Sequence, residues 1–319
     1  EYRKLFKLLN TYVETLPNYV DQNNIIHSTF IQTGTTTGRF SSESPNLQNL
    51  PAKGEDGLVI RKAFESRTGF IFLSIDYSQI DLRSAAILSG DKNLINIFNE
   101  DIDVHTGVAS KIFKIKESEI NTQMRNYAKT INFGILYGMG VLALKDSMKV
   151  SRKEAQEFYD EYKKTFNIMM NYLENVKIKA KESGYTETLL KRRRYIYSLK
   201  SSIPFLRAQG ERIAINAPVQ GTTSDILKLA MIDVYDYIKE NRLEEKVNII
   251  LQIHDELILE IKENLIDKIK YTIKDIFENV LTKRIKDINW KHMFLKDNFV
   301  EEVKLKAEIK TGKNLYELK

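Results

Sequence analysis

Two aspartates stand where apolar runs give way to polar chain. In "LSIDYSQIDLR", residues 73–83, Asp76 closes an apolar run and helix-forming sequence follows. In "NIILQIHDELILEI", 248–261, His254, Asp255 and Glu256 interrupt an otherwise continuous apolar stretch. Each has an ordinary explanation when taken alone. Asp76 suits a helix N-cap, and the second triplet suits a hairpin tip. Taken together, they are acids far apart in sequence that can lie side by side in one sheet. Mg²⁺ takes oxygen ligands, usually one or two carboxylates with substrate phosphates and water. Two such ions activate an attacking hydroxyl and stabilise a leaving oxygen in phosphoryl transfer. With four His and no Cys, zinc is the poorer match.

A second constellation is "RNYAKTINFGILYGMG", 125–140, in which Arg125, Lys129, Phe133 and Tyr137 recur every four residues. On a helix each such step adds about 40° and about 6 Å, so the four form one slowly winding stripe roughly 18 Å long. Two cations followed by two rings match a nucleoside triphosphate laid along the helix, phosphates on the cations and sugar and base on the rings. The alternative is an amphipathic helix with a solvated cationic end. Gly134, Gly138 and Gly140 beside the rings favour close approach by another group or a moving helix end. Three further segments are rich in donors. Arg39 lies in the hydroxyl-rich loop "TTTGRFSSESPNLQNLP", 35–51, and Arg212, Asn216 and Gln220 share a four-residue spacing in "RIAINAPVQGTTSD", 212–225. "KRRRYIY", 191–197, interleaves basic and aromatic residues, a pattern consistent with gripping a nucleic-acid backbone. A polar loop, a kinked helix and a solvated charge cluster are their plain alternatives.

The elements that must position these residues follow from periodicity and turn signals. Residues 1–16 read as a helix ending at Pro17, 25–40 as strand then loop, and 41–57 as loop. A buried strand covers 69–76, with a helix from about Gln79 to Ser89 and mostly helix from Asp91 to about Ile178. "SRKEA", 151–155, is a capping box. Residues 184–198 read as a hairpin, about 205–240 as a helix interrupted by Pro218, and about 263–280 as an amphipathic helix before a mixed tail. Strands at both ends with helices between describe a sheet domain carrying a helical insertion. The 319 residues, 42% hydrophobic and 29% charged, make a globular chain with a substantial core. No apolar run reaches membrane-span length. The net charge of +6 permits a polyanionic partner without demanding one.

These segments together resemble the polymerase domain of family A DNA polymerases, the bacterial DNA polymerase I group. "DYSQIDLR" resembles the first catalytic motif, "RNYAKTINFGILYG" the nucleotide-binding helix and "HDE" the second catalytic motif, while "TGRFSSESPNLQNLP" and "INAPVQGTTSDILKLAM" also match in family order. The resemblance implies an α+β fold with right-hand architecture, an antiparallel-sheet palm and a helical fingers insertion. Its bounds are 1–10 for the end of a thumb helix, 11–95 and 205–319 for the palm, and 96–204 for the fingers. A larger thumb and an exonuclease-like domain would lie upstream, so a fragment is expected.

By the same resemblance, Asp76 and Asp255, with the backbone carbonyl of Tyr77, bind two Mg²⁺ ions, for which Mn²⁺ can substitute. Arg125 and Lys129 hold the triphosphate, Lys129 being a candidate proton donor to pyrophosphate. His105 approaches the outer phosphates, Phe133 the sugar and Tyr137 the nascent pair, while Gln79 and Asp81 belong to the same nucleotide site. Arg39, Arg212, Asn216 and Gln220 contact the DNA, His254 faces the primer terminus, and Glu256 is a secondary acid. The partners are primer-template DNA and dNTPs, with no membrane and a monomeric catalytic unit. The location is intracellular: cytoplasm or nucleoid for a bacterial or viral source, an organelle for a nuclear-encoded one. One departure matters. Asp81 stands where the family has Glu, which blocks a ribose 2′-hydroxyl, and this implies looser exclusion of ribonucleotides. A single-subunit RNA polymerase, a two-metal nuclease and a non-catalytic nucleic-acid-binding module are the rival readings.

Overall fold

The computed structural model describes residues 1–52, 54–100, 102–295 and 298–319. In chain order the elements are α1 (Tyr2–Leu8), β1 (Thr29–Ile31), β2 (Ser41–Glu43), α2 (Glu55–Lys62), β3 (Phe70–Tyr77), α3 (Ile80–Ser89), α4 (Lys92–Asn99), α5 (Val104–Phe113) and α6 (Thr122–Leu136). There follow α7 (Val141–Met148), α8 (Arg152–Thr165), α9 (Asn167–Ser183), β4 (Tyr185–Glu187), β5 (Arg193–Tyr195) and α10 (Pro204–Glu240). The last are β6 (Val247–Ile253), β7 (Glu256–Lys262), α11 (Ile266–Lys286), α12 (Ile288–Lys291) and β8 (Ala307–Gly312). The chain divides into two units, Glu1–Ser78 with Ile226–Val280 and Lys306–Lys319, and Gln79–Asp225 with Leu281–Leu305. The cuts fall at 78/79, 225/226, 280/281 and 305/306, whereas the expected palm and fingers bounds lie at 95/96 and 204/205. Helix α3 belongs to the second unit because it packs on α4 and α9.

The first unit is built on a four-stranded antiparallel sheet in the order β6-β7-β3-β8. Strands β3 and β7 are its centre. Their near-continuous apolar sequences, "FIFLSIDY" and "ELILEIK", match burial on both faces. Leu73, Ile75, Leu257, Ile258, Leu259 and Ile261 are fully buried. Phe72, Leu251, Ile253 and Ile258 pack with Tyr12, Leu47, Leu50, Leu315 and Leu318 in one core cluster. Both outer strands are modified. A register shift between Ile249 and Leu251 bulges β6, and β8, "AEIKTG", carries Glu308, Lys310 and Thr311. The tail was expected to be mixed, and β8 escapes a pattern search because an outer strand needs no apolar alternation. Two other expectations change here. Helix α1 ends at Leu8, and the chain continues as a π-turn over Leu9–Val13 and a 3-10 turn over Leu16–Tyr19. The expected loop 41–57 contains β2, a 3-10 turn over Leu47–Asn49 and the start of α2.

The second unit is helical, with the short hairpin β4–β5. Ser151 and Glu154 form the predicted capping box of α8, each side chain bonded to the other's backbone N–H. Helix α10 runs through Pro218 without a break, contrary to expectation. A proline forfeits one helical hydrogen bond and crowds the carbonyl four residues back. Here Ala214, Ala217, Val219, Thr222 and Thr223 are all buried on either side of the proline. Tertiary packing holds the helix where local preference would end it. Residues 204–225 of α10 lie in the second unit and 226–240 in the first. Among the described residues, no helix is long and apolar enough to cross a membrane.

Candidate active site

In the first unit the register of the sheet fixes the acids. Asp76 sits one residue before the end of β3, opposite Glu256 on β7 and Glu308 on β8. Residues directly opposite in an antiparallel pair present side chains to the same face. Asp255 follows His254 in the β6–β7 turn, and its carbonyl accepts from the Tyr77 N–H at 3.4 Å. The two predicted metal ligands thus occupy one end of one sheet. His254 takes a φ of +54°, a left-handed conformation that costs a non-glycine residue about 1 kcal/mol or more. That single residue closes the turn and delivers Asp255 to the strand end.

The electrostatics are those of crowded acid. Solvent reaches Asp76, yet partial loss of hydration first, then Glu256 and Asp255, push its carboxyl up to about 7, with Lys319 opposing. Glu256 is 4% exposed and is held by Ser74 Oγ at 2.5 Å and by Lys319 Nζ at 2.8 Å. Both oxygens of Glu256 are thus engaged by groups of the protein. Arg39 Nη2 lies 3.4 Å from Asp255 Oδ1, which places the predicted DNA contact against a predicted metal ligand. Burial first, and then the Arg39 charge, lower the pKa of His254, and its carbonyl accepts from Gln252. Asp76 and Asp255 supply only carboxylate oxygen, and each added negative neighbour raises the affinity of such a set for a hard cation. The donor chemistry therefore fits a divalent metal. Among the described residues no group of three or more His, Cys, Asp or Glu converges on one point.

The second unit carries the cation and ring row. Arg125, Lys129 and Phe133 lie on α6, and Tyr137 caps its C-terminal end. Arg125 grips Asp103 with Nε and Nη2, each donating at 2.9 Å. Burial would raise the Asp103 carboxyl, but Arg125 and the Thr106 hydroxyl and amide hold it down to about 2. Asp103 also caps α5 through Thr106 N, and Gln79 Nε2 donates to it at 3.4 Å. His105, 4% exposed, contacts Asn132 Nδ2 at 3.2 Å through Nδ1 and packs its ring 5.7 Å from that of Phe133. Burial first, then Arg125 and Lys129, lower His105 to about 4, against the pull of Asp103. It is therefore a neutral imidazole at neutral pH.

Asp81 lies in the first turn of α3 and is 9% exposed. Thr223 Oγ1 donates to its Oδ1 at 2.7 Å, and the Tyr137 hydroxyl donates to its Oδ2 at 3.3 Å. Arg212, Asn216 and Gln220 follow one another on α10, and a Cβ at Gly138, whose φ is +72°, would stand 2.9 Å from Arg212 Cγ. The predicted basic tip is only partly outward. Arg192 turns in to Asp225 and to the Gly221 carbonyl. Sequence reasoning missed Asp103, Asn132 and Thr223, and Ser74 and Lys319 beside Glu256. Only Asp103 carried a local signal, as the Asp-x-x-Thr that opens a helix.

An antiparallel sheet ending in paired acids, with a helical insertion that bears a cation and ring row, defines the polymerase class of fold. The chain belongs to DNA polymerase family A, whose model matches residues 1–317. DNA polymerase I of Caldicellulosiruptor bescii is 40% identical over 320 residues, covering 100% of this chain and 35% of that protein. The thermostable DNA polymerase I of Thermus aquaticus is 41% identical over 282 residues, covering 88% of this chain and 33% of that protein. The POL domain of Pol1 from M. smegmatis, solved in complex with DNA primer-template and dNTP, superposes with a TM-score of 0.88 at 35% identity. That match covers 99% of this chain and 52% of the other. The chain spans about a third of the length of the curated relatives it matches.

Proposed function

We propose that this chain performs template-directed DNA synthesis, joining the α-phosphate of a dNTP to a primer 3′-hydroxyl and releasing pyrophosphate, in replication or repair inside the cell. The observation that carries the reading is the acid pair at one sheet end, Asp76 and Asp255, in a chain of this family. These two residues, with the Tyr77 carbonyl, would hold two divalent ions, Mg²⁺ or in its place Mn²⁺. Bound there, the metal supplies activation of the attacking hydroxyl and charge neutralisation at the phosphates. The protein's own part is positioning. Arg125 and Lys129 offer charge-assisted donors to the triphosphate, and Lys129, exposed on α6, can release a proton toward the leaving group. Neutral His105 can offer one N–H to a phosphate oxygen without adding charge. Phe133 and Tyr137 meet the sugar and the new pair, and Gln79 and Asp81 stand beside them. Arg39, Arg212, Asn216, Gln220 and His254 contact the primer-template. A monomer suffices, since every named group comes from one chain.

Primer extension with pyrophosphate detection tests the proposal, using both this chain and the full reading frame that encodes it. Asp76→Asn and Asp255→Asn should each abolish extension while far-ultraviolet circular dichroism stays unchanged. Release of nucleoside monophosphate from DNA in place of pyrophosphate would make the chain a nuclease. A preference for rNTPs on a primed template would favour an RNA polymerase.

A further inference from the structure

Between Thr188 and Gly210 the sequence holds six Lys or Arg (Lys191, Arg192, Arg193, Arg194, Lys200 and Arg207) and no Asp or Glu. Two of them are paired with carboxylates, Arg192 with Asp225 and Arg193 with Glu187. Glu211, the next acid along α10, is taken by Lys181 at 2.7 Å. Glu211 also faces Arg207, one turn before it on the helix, whereas Lys191, Arg194 and Lys200 meet no acid within the segment. The same stretch exposes large rings. Tyr195 is 57%, Tyr197 88% and Phe205 71% exposed. Between them, Ile196 and Leu199 are buried in a core cluster with Ala180 and Ala214, so the backbone is anchored while the rings face solvent.

The segment is one continuous surface. The backbone of Ser198 and Leu199 lies against α10, where a Cβ at Gly210 would meet Leu199 N at 3.0 Å. Arg207 donates to the Ser201 carbonyl at 3.4 Å. Phe205 precedes Arg212 by seven residues on α10, which brings the two within about 20° on the helix surface. A row of Phe205, Arg212, Asn216 and Gln220 therefore runs along one face of that helix. Exposed rings on a segment with an excess of cations are what an unpaired strand requires: any base can stack on a ring, and its phosphates seek the cations. Duplex DNA, with its bases already stacked, gives the rings nothing to do.

We propose that the turn at Tyr197–Lys200 and the start of α10 form a platform for single-stranded DNA, with Tyr197 and Phe205 stacking on unpaired bases and Lys200 and Arg207 contacting phosphates. The proposal rests on the polymerase reading only for the identity of the strand, the unpaired template.

The test is fluorescence anisotropy with a labelled oligothymidine and with primer-templates that end either blunt or in a long unpaired template overhang. The Tyr197→Ala, Phe205→Ala double variant should bind oligothymidine at least about tenfold more weakly. It should also lose most of the affinity advantage of the overhang over the blunt end. Tyr197→Phe and Phe205→Tyr should retain both. Lys200→Gln and Arg207→Gln should each reduce the salt slope by about 0.7. Unchanged oligothymidine affinity in the double variant overturns the platform, and so does an equal loss for blunt and overhung substrates. A chain that binds oligothymidine in this way yet never extends a primer sinks the proposed function and leaves the platform standing.

Discussion

Arg125 is held by Asp103 through two parallel hydrogen bonds of 2.9 Å, so the first cation of the proposed nucleotide row is already engaged by a carboxylate. A triphosphate bound as proposed would compete with Asp103 for that guanidinium. Asp103→Asn keeps a side-chain oxygen for the α5 cap and removes the charge. The pair is partly exposed, so its strength is up to about 1 kcal/mol. Equilibrium titration should show dNTP binding strengthened by up to about fivefold in Asp103→Asn. Weaker binding would mean that Asp103 orients Arg125 for the substrate and does not compete with it.

Asp81 divides its two oxygens between Thr223 and Tyr137. The Thr223 bond is the shorter, and it ties this short carboxylate to α10. Restoring the missing methylene should extend the acid toward the sugar. Asp81→Glu is expected to improve discrimination against ribonucleotides by about tenfold, the scale on which one methylene acts in a binding pocket. Single-nucleotide incorporation with matched dNTP and rNTP reads this directly. Equal ratios in the two proteins would sink the idea.

Much of this was legible in sequence, for definite reasons. Asp76 and Asp255 end apolar runs, and an apolar run long enough to cross a sheet betrays its own ends. The capping box at Ser151 and the spacing from Arg125 to Tyr137 are local patterns, and they survive as local structure. What escaped is tertiary. Nothing near Thr223 indicates that its hydroxyl finds Asp81, 142 positions away. Lys319 is one of many lysines until Glu256 is seen buried beside it. Pro218 reads as a helix break because local preference says so, and only the burial of its neighbours along α10 reverses it.

His105 sets a pH window for stability. Its ordinary value is 6.5, and burial lowers it to about 4 in the folded chain. Between those values the unfolded chain binds more protons, so stability rises with pH. The contribution is complete above about pH 6.5, declines as pH falls through the window and levels off below about 4. At about 1.4 kcal/mol per pKa unit the full loss is about 3–4 kcal/mol. Urea midpoints for wild type and His105→Gln should converge as pH falls from 6.5 to 4. Parallel curves would show that the imidazole titrates normally.

Glu256 is buried and depends on Ser74 and Lys319. Lys319→Met removes the only cation that an ion pair assigns to it among the described residues. Leaving a buried carboxylate short of a partner costs about 1–3 kcal/mol. Because Lys319 also holds Asp76 down, the Asp76 carboxyl should rise further in the variant. Chemical denaturation and a carboxylate titration by carbon-13 NMR read the two effects separately. A neutral result in both would mean that Lys319 is solvated in solution.

The two outer strands of the sheet carry a further consequence. An outer strand presents unpaired backbone groups that can recruit a strand from a neighbouring molecule. Here the bulge at Ile249/Leu251 breaks the regular spacing of β6, and Glu308 and Lys310 place opposite charges along β8. A newly made chain, crowded by its own copies, is thereby guarded against stacking edge to edge into aggregates.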